Sequence, residues 1–171
     1  MKQDRILVVG AGLAGLALAR ALRQTGFAPE VIERAAGWGD AGTGMYLPAN
    51  GIRALRALDQ EQAVVARAVE IPRQRLLDHR GRRLADIDLH QLWGDLGPCL
   101  ALPRSELHQI LRDDVPVRLG RTVRSLERLD GPVGVTFDDG HSGEFDLVVG
   151  ADGLRSTIRR PAGRRPGRAP G

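Results

Sequence analysis

Three stretches of this 171-residue chain combine residue types and spacing that could do chemistry. The first is Gly10-Ala11-Gly12-Leu13-Ala14-Gly15, a G-x-G-x-x-G run. It follows the apolar run Arg5-Ile6-Leu7-Val8-Val9 and opens a segment from Leu13 to Gln24 rich in Ala, Leu and Arg. In that strand–turn–helix setting Gly10 permits the tight turn. Gly12 lets the backbone approach a pyrophosphate, and Gly15 lets the helix pack closely on the strand. Phosphates sit well at such a helix start, where free N–H groups and the helix dipole favour an anion. The second feature is Glu33, at the end of Glu30-Val31-Ile32-Glu33 and 18 positions after Gly15. A carboxylate there can accept both hydroxyls of an adenosine ribose and would repel a 2′-phosphate, which argues against NADP at this site. The third is Asp152, in the turn Gly150-Ala151-Asp152-Gly153 after the apolar run ending Leu147-Val148-Val149. The carboxyl-terminal edge of an open α/β sheet is where ligands bind. Taken alone, that turn could serve only to let Asp152 cap the next helix. The glycine turn alone does not separate FAD from NAD; the second Gly-Asp turn does.

The remaining reactive residue types form no such pattern. His79, His90, His108 and His141 are scattered without metal-ligand spacing. Cys99 is a lone thiol and reads as packing, as do Trp38 and Trp93. Ser156 and Thr157 lack the G-x-S-x-G context of a hydrolase nucleophile, and no P-loop lysine pattern occurs. No catalytic side chain and no metal site are expected.

The elements that must position these residues follow from pattern. Strand, helix and strand over residues 5–33 make a βαβ unit, with Gly26 stopping the helix. Residues 34–48 read as a Gly-rich loop, and 49–58 as a helix with Ile52, Leu55 and Leu58 at helical spacing; 60–70 could continue it. Residues 74–77 and 83–87 flank a turn and read as a hairpin. Residues 100–102 read as a short strand, and Pro103-Arg104-Ser105-Glu106-Leu107 opens a helix to about Arg112. Strands are expected at 115–119, 122–129, 134–137 and 145–149, the second and third pairing across Asp130-Gly131-Pro132. The run 145–149 reads as a buried strand and Leu154 to Arg160 as a helix start.

Composition bounds the rest. The apolar fraction is 42% and the charged fraction 27%, near average globular usage. No apolar run approaches the ~20 residues of a membrane helix, and the glycine-interrupted start does not read as a secretory signal. Membrane insertion is therefore not expected. With one cysteine, neither an internal disulfide nor a multi-Cys zinc site is available, and a cytoplasmic setting is the default. The net charge is +4, from 25 Lys+Arg against 21 Asp+Glu. Six of those cations lie in residues 153–171, which hold no acid, so residues 1–152 carry 19 against 21, a net of −2. The body offers no basic nucleic-acid face. The end, 161–171, lacks core-forming residues and is expected to be disordered.

The glycine turn with VIER after it, the PRSEL helix start, the segment GTGMYLPANGIRALRAL and DLVVGADGLRSTIR together resemble the FAD-dependent aromatic-ring monooxygenases of the para-hydroxybenzoate hydroxylase type, over roughly residues 4–160. The resemblance implies an α/β fold: a Rossmann-like FAD-binding domain over 1–160 with a βαβ start, a central mostly parallel sheet and a small β-rich insertion. That insertion, at about 71–102, would begin a substrate-side layer. Gly10, Gly12 and Gly15, with Ala11, Leu13 and Ala14 between them, would hold the FAD pyrophosphate, and Glu33 the adenosine ribose. Arg34 would lie near the adenine end, Arg104 would contact FAD, and the backbone of Val123 would lie by the adenine. Asp152 and Gly153 would sit near the pyrophosphate and the path of the reductant.

The implied activity uses NADH or NADPH as external reductant and O2, and hydroxylates a small aromatic substrate. The later Gly-Asp motif of that family, typically GDAAH, does not occur in the sequence. The chain therefore reads as the N-terminal part of such an enzyme, incomplete at its C-terminus and inactive or poorly active alone. Its strand at 145–149 would then be left as an unpaired edge. An NAD-dependent oxidoreductase fragment and a non-catalytic nucleotide-binding module are the alternatives.

Overall fold

The computed structural model describes residues 4–39, 42–128 and 130–159. In chain order the elements are β1 (Ile6–Val9), α1 (Leu13–Gln24), β2 (Glu30–Glu33), β3 (Gly44–Leu47), α2 (Ala49–Ala57), α3 (Glu61–Val65), β4 (Val69–Glu70), β5 (Arg73–Leu77), β6 (Arg83–Asp88), α4 (Leu89–Trp93), a 3-10 turn (Gly94–Leu96), β7 (Leu100–Pro103), α5 (Arg104–Arg112), β8 (Val117–Leu119), β9 (Val123–Arg128), β10 (Val133–Phe137), β11 (Ser142–Phe145) and β12 (Leu147–Gly150). They divide into two units. One joins the chain up to Gly39 to the chain from Leu111 onward; the other runs from Asp40 to Ile110.

The first unit is built on a parallel sheet in the order β12-β1-β2-β8. All four residues of β1 are buried because it has a strand on each side and a layer on each face. Side chains alternate along a strand. Leu7 and Val9 therefore share a face, and they pack with Ile32, Val123, Val135, Phe137, Phe145 and Ile158. Val123, Val135, Phe137 and Phe145, from the antiparallel sheet β11-β10-β9, supply that layer, with Phe137 and Phe145 edge to face at 6.4 Å. Helix α1 packs on β1 through its buried side, Gly15, Leu16 and Ala19. It ends as expected: Gly26 lies at φ +90°, where a glycine carries no Cβ penalty.

The second unit has β7 between β3 and β4, antiparallel to both, and the hairpin β5-β6. Helix α2 buries Ala49, Ile52 and Leu55, three apart, as an amphipathic helix must. Asp88 caps α4 by accepting from the N–H groups of His90 and Gln91 at 3.0 and 3.1 Å.

The α/β class with a parallel sheet is the expected one, and several local readings are corrected. The loop read over 34–48 contains β3, which forms because β7 supplies its partner. Residues 60–70 are α3 followed by β4, not one helix. The run 145–149 is two strands. Phe145 ends β11, and the chain breaks at Asp146, whose Oδ2 accepts the Arg5 N–H at 2.7 Å. Beyond the break, β12 is only partly covered, and Leu147 is 48% exposed. Among the described residues β12 has β1 as its sole strand neighbour, so it lacks cover that a central strand has. Residues 154–158 form a turn and bends where a helix start is expected. The tail at 161–171 lies outside the described residues.

Candidate functional site

Because β12, β1 and β2 are parallel neighbours, their carboxyl ends finish side by side. Gly10 N–H donates to Ile32 O at 2.8 Å, and Ala151 N–H donates to Val9 O at 2.7 Å. The chain leaves β1 toward β2 on one side and returns as β12 on the other. This is the switch point at which open α/β sheets bind ligands. The turns after β1 and β12 therefore press together. A Cβ on Gly10, which lies at φ +106°, would stand 2.5 Å from the Ala151 carbonyl oxygen. A Cβ on Gly15 would stand 1.9 Å from the Gly10 oxygen and 3.3 Å from Ala151 Cβ. A Cβ on Gly12 would meet nothing within 4 Å. Two of the glycines are thus required by packing, and the third leaves an open space.

That space belongs to a cavity of about 190 Å³ lined by Val9, Gly10, Gly12, Glu33, Arg34, Thr122, Ala151, Asp152, Gly153, Arg155 and Thr157. Gly12 is also the residue from which α1 starts. No side chain caps α1 there and its first turn holds no acid. The first N–H groups of a helix have no partner within it, so this end offers donors and a positive dipole end.

Glu33 stands at the end of β2. One carboxylate oxygen accepts the Ala11 N–H and the other the Ala35 N–H, each at 2.9 Å. A carboxylate has about four lone-pair positions, so each oxygen keeps one for a hydroxyl in the cavity. The Glu33 side chain thus braces the glycine turn as well as lining the site. Arg34 and Arg155 add positive charge to the lining.

Asp152 uses one oxygen locally. Its Oδ2 accepts from the Thr157 N–H at 2.5 Å, the Thr157 hydroxyl at 2.9 Å and the Ile158 N–H at 3.3 Å. This side chain holds residues 152–158 in a closed turn. Its Oδ1 is buried and has no hydrogen-bond partner among the described residues. Burial alone would raise the Asp152 pKa. The Ser156 and Thr157 side chains and the N–H groups of Thr157 and Ile158 outweigh it and hold the carboxyl below its ordinary range.

The structure brings Gly10, Gly12, Glu33, Arg34, Asp152 and Gly153 to one cavity. Ala11 is buried at the turn, and Gly15 is buried behind it. Leu13 begins α1, and Ala14 lines a separate open groove of about 500 Å³ with residues 150–154. The Val123 side chain is in the core, and the neighbouring Thr122 lines the cavity instead. Arg104 is exposed at the start of α5, in the other unit, where its N–H donates to Thr43 O at 3.0 Å. Thr122, Arg155 and Thr157 are among the lining residues that the sequence did not single out as a site. Their only signal is position: one follows β8, the others follow the Asp-Gly turn.

Among the described residues, no group of three His, Cys, Asp or Glu could hold a metal ion. No helix among them is long and apolar enough to cross a membrane. What the cavity offers is chemistry for a bound anion flanked by a polyol: helix-start donors, an open glycine face, two guanidinium groups and a carboxylate with spare acceptor positions. A dinucleotide has that order of groups, so the residues present fit one.

A family model described as an FAD binding domain matches residues 3–170. Over 168 residues the chain is 36% identical to aurachin C monooxygenase/isomerase of Stigmatella aurantiaca, covering 94% of this chain and 43% of that protein. It is likewise 36% identical over 167 residues to 3-amino-4-hydroxybenzoate 2-monooxygenase of Streptomyces cremeus, covering 91% and 41%. Among solved structures it superposes on Klebsiella pneumoniae HpxO complexed with FAD and uric acid at a TM-score of 0.80, with 26% identity over 91% of this chain and 41% of that one. The chain thus spans about two-fifths of the length of these relatives. With nearly every residue inside the matched span, and with a glycine cradle at the sheet's switch point, the chain belongs to the FAD binding domain family.

Proposed function

We propose that this chain is the FAD-holding part of a flavin monooxygenase that draws electrons from NADH or NADPH and uses O2 to hydroxylate a small aromatic substrate. The observation that carries the reading is the open face of Gly12 at the start of α1, inside a cavity that also contains Glu33. Gly10, Gly12 and Gly15, with Ala11, Leu13 and Ala14, form the pyrophosphate turn. Backbone N–H groups at the start of α1 neutralise the bridging phosphates. Glu33 accepts from the ribose hydroxyls through the positions left free by Ala11 and Ala35. Arg34 and the backbone at Thr122–Val123 border the adenine end, and Asp152 and Gly153 border the pyrophosphate from the other turn. Arg104 is assigned to the same cofactor on the resemblance alone.

FAD, once bound, supplies the redox chemistry. The chain's residues bind and orient it; none donates or removes a proton in this reading. At about 190 Å³ the cavity is smaller than the roughly 300–1,000 Å³ that encloses a drug-sized ligand. It suits the phosphate and nucleoside portion, not the whole cofactor. An aromatic substrate agrees with the relatives, one of which is a 3-amino-4-hydroxybenzoate 2-monooxygenase.

The test is selectivity. Flavin fluorescence is followed as the chain is titrated with FAD, and bound FAD is then challenged with ADP, NAD and NADP. The expected result is displacement by ADP and weaker displacement by NADP than by NAD, since Glu33 opposes a 2′-phosphate. Equal displacement by NAD and NADP would remove the role given to Glu33. Failure of FAD to bind while NAD binds directly would replace the reading with a nicotinamide-dependent one.

A further inference from the structure

Thr122 lines the nucleoside side of the cavity, yet nothing in β8 or β9 alone fixes it there. It lies in the connection between them, after Gly120, which sits at φ +67°. Two contacts tie this connection to the end of β2: Gly120 N–H donates to Ala35 O and Arg121 N–H to Glu33 O, both at 2.9 Å. On its other side it meets the turn between β10 and β11. Thr122 N–H donates to Asp138 Oδ1 at 3.0 Å, and Asp138 N–H returns a bond to Thr122 O at 3.1 Å. Next to this exchange, the Arg121 guanidinium lies 4.0 Å from the Phe137 ring centre and 3.1 Å from Asp139 Oδ2. Asp139 is itself fixed, its Oδ1 accepting the His141 N–H at 3.0 Å.

From this arrangement we infer that Asp138, supported by the Arg121–Asp139 pair, is a positioning residue for the nucleoside end of the cavity. It does not line the cavity. It acts through Thr122, setting where that backbone stands relative to Glu33 and Arg34. The chemical class it serves is a purine nucleoside diphosphate moiety, lying with its base against the Thr122 backbone. The glycine turn, on the far side of Glu33, does not depend on it. The inference rests on the proposed dinucleotide reading and adds to it a residue of the β10–β11 turn.

The experiment compares ADP and inorganic pyrophosphate binding by calorimetry in the wild-type chain, Asp138→Ala and Asp138→Asn. Pyrophosphate probes the glycine turn alone; ADP also probes the nucleoside end. Asp138→Ala should weaken ADP by about fivefold, the loss expected for one hydrogen bond, and leave pyrophosphate unchanged. Asp138→Asn retains a carbonyl acceptor for the Thr122 N–H and should restore most of the ADP affinity. Equal weakening of both probes would mean general damage to the fold and would overturn the inference. So would an Ala variant that binds ADP as wild type does, with the dinucleotide reading left standing. A wild-type chain that binds neither ADP nor FAD would remove both.

Discussion

At the scale of single residues, the three glycines of the turn should behave differently when changed. Gly15→Ala places a Cβ 1.9 Å from a backbone oxygen, a clash that α1 can relieve only by moving off β1. Its expected cost is about 3 kcal/mol of stability, the upper range for overpacking. Gly12 has an ordinary backbone conformation, φ −73° and ψ 179°, and open space beyond its Cα. Gly12→Ala should therefore cost less than about 1 kcal/mol, yet put a methyl group in the space proposed for the pyrophosphate. Thermal melts with and without FAD separate the two effects: one variant loses stability, the other loses the FAD-induced rise in Tm. Asp152 makes a pH prediction. Its pKa is lowered in the fold, so its contribution is present above the unfolded-state pKa of about 3.9 and is lost as pH falls through the lower folded value. The Tm gap between wild type and Asp152→Asn should be full at pH 7 and close as the pH drops below about 4. A gap that widens in acid would contradict the role of Asp152 as a charged brace.

At the scale of elements, β12 is the exposed consequence of this fold. Its outer edge has no strand neighbour among the described residues, and Leu147 on it is 48% exposed. Unpaired edges template association. Sedimentation should show concentration-dependent self-association that Leu147→Lys reduces. A monomer at all concentrations, with slow amide exchange across 147–150, would refute this. The sequence made some elements plain and hid others for physical reasons. Helix α1 is legible to the residue because the glycine turn and Gly26 punctuate both its ends. Helix α2 is legible from the spacing of its apolar residues, and α5 from its Pro103-Arg104-Ser105-Glu106-Leu107 start. Strand β3 is not legible, since Gly44–Leu47 carries little strand signal and is fixed by β7, more than fifty residues away. The break at Asp146 is hidden within an apolar run, because only the fold shows that Arg5 binds its carboxylate. The site divides the same way. Its glycines and Glu33 follow from local spacing. Thr122, Arg155 and Thr157 reach the cavity only through sheet order and the closure of the Asp152 turn.

At the scale of the whole molecule, holding a cofactor is distinct from turning it over. The cavity suits the phosphate and nucleoside end of FAD, and the chain spans about two-fifths of its monooxygenase relatives. These 171 residues alone, loaded with FAD, should therefore show no NADH or NADPH oxidation coupled to hydroxylation of an aminohydroxybenzoate or similar substrate. Stoichiometric product formation would contradict that expectation. The claim on which all else depends is that the glycine cradle holds FAD. The most direct measurement is the visible absorption spectrum of the chain after incubation with FAD and desalting, taken beside that of Gly12→Ala. A retained flavin band near ~450 nm is expected for the wild-type chain, the cofactor bringing its own chromophore, and none for the variant although both are folded by circular dichroism. Equal retention by the two would contradict the cradle, and a folded wild-type chain with no flavin would contradict the assignment of the cavity.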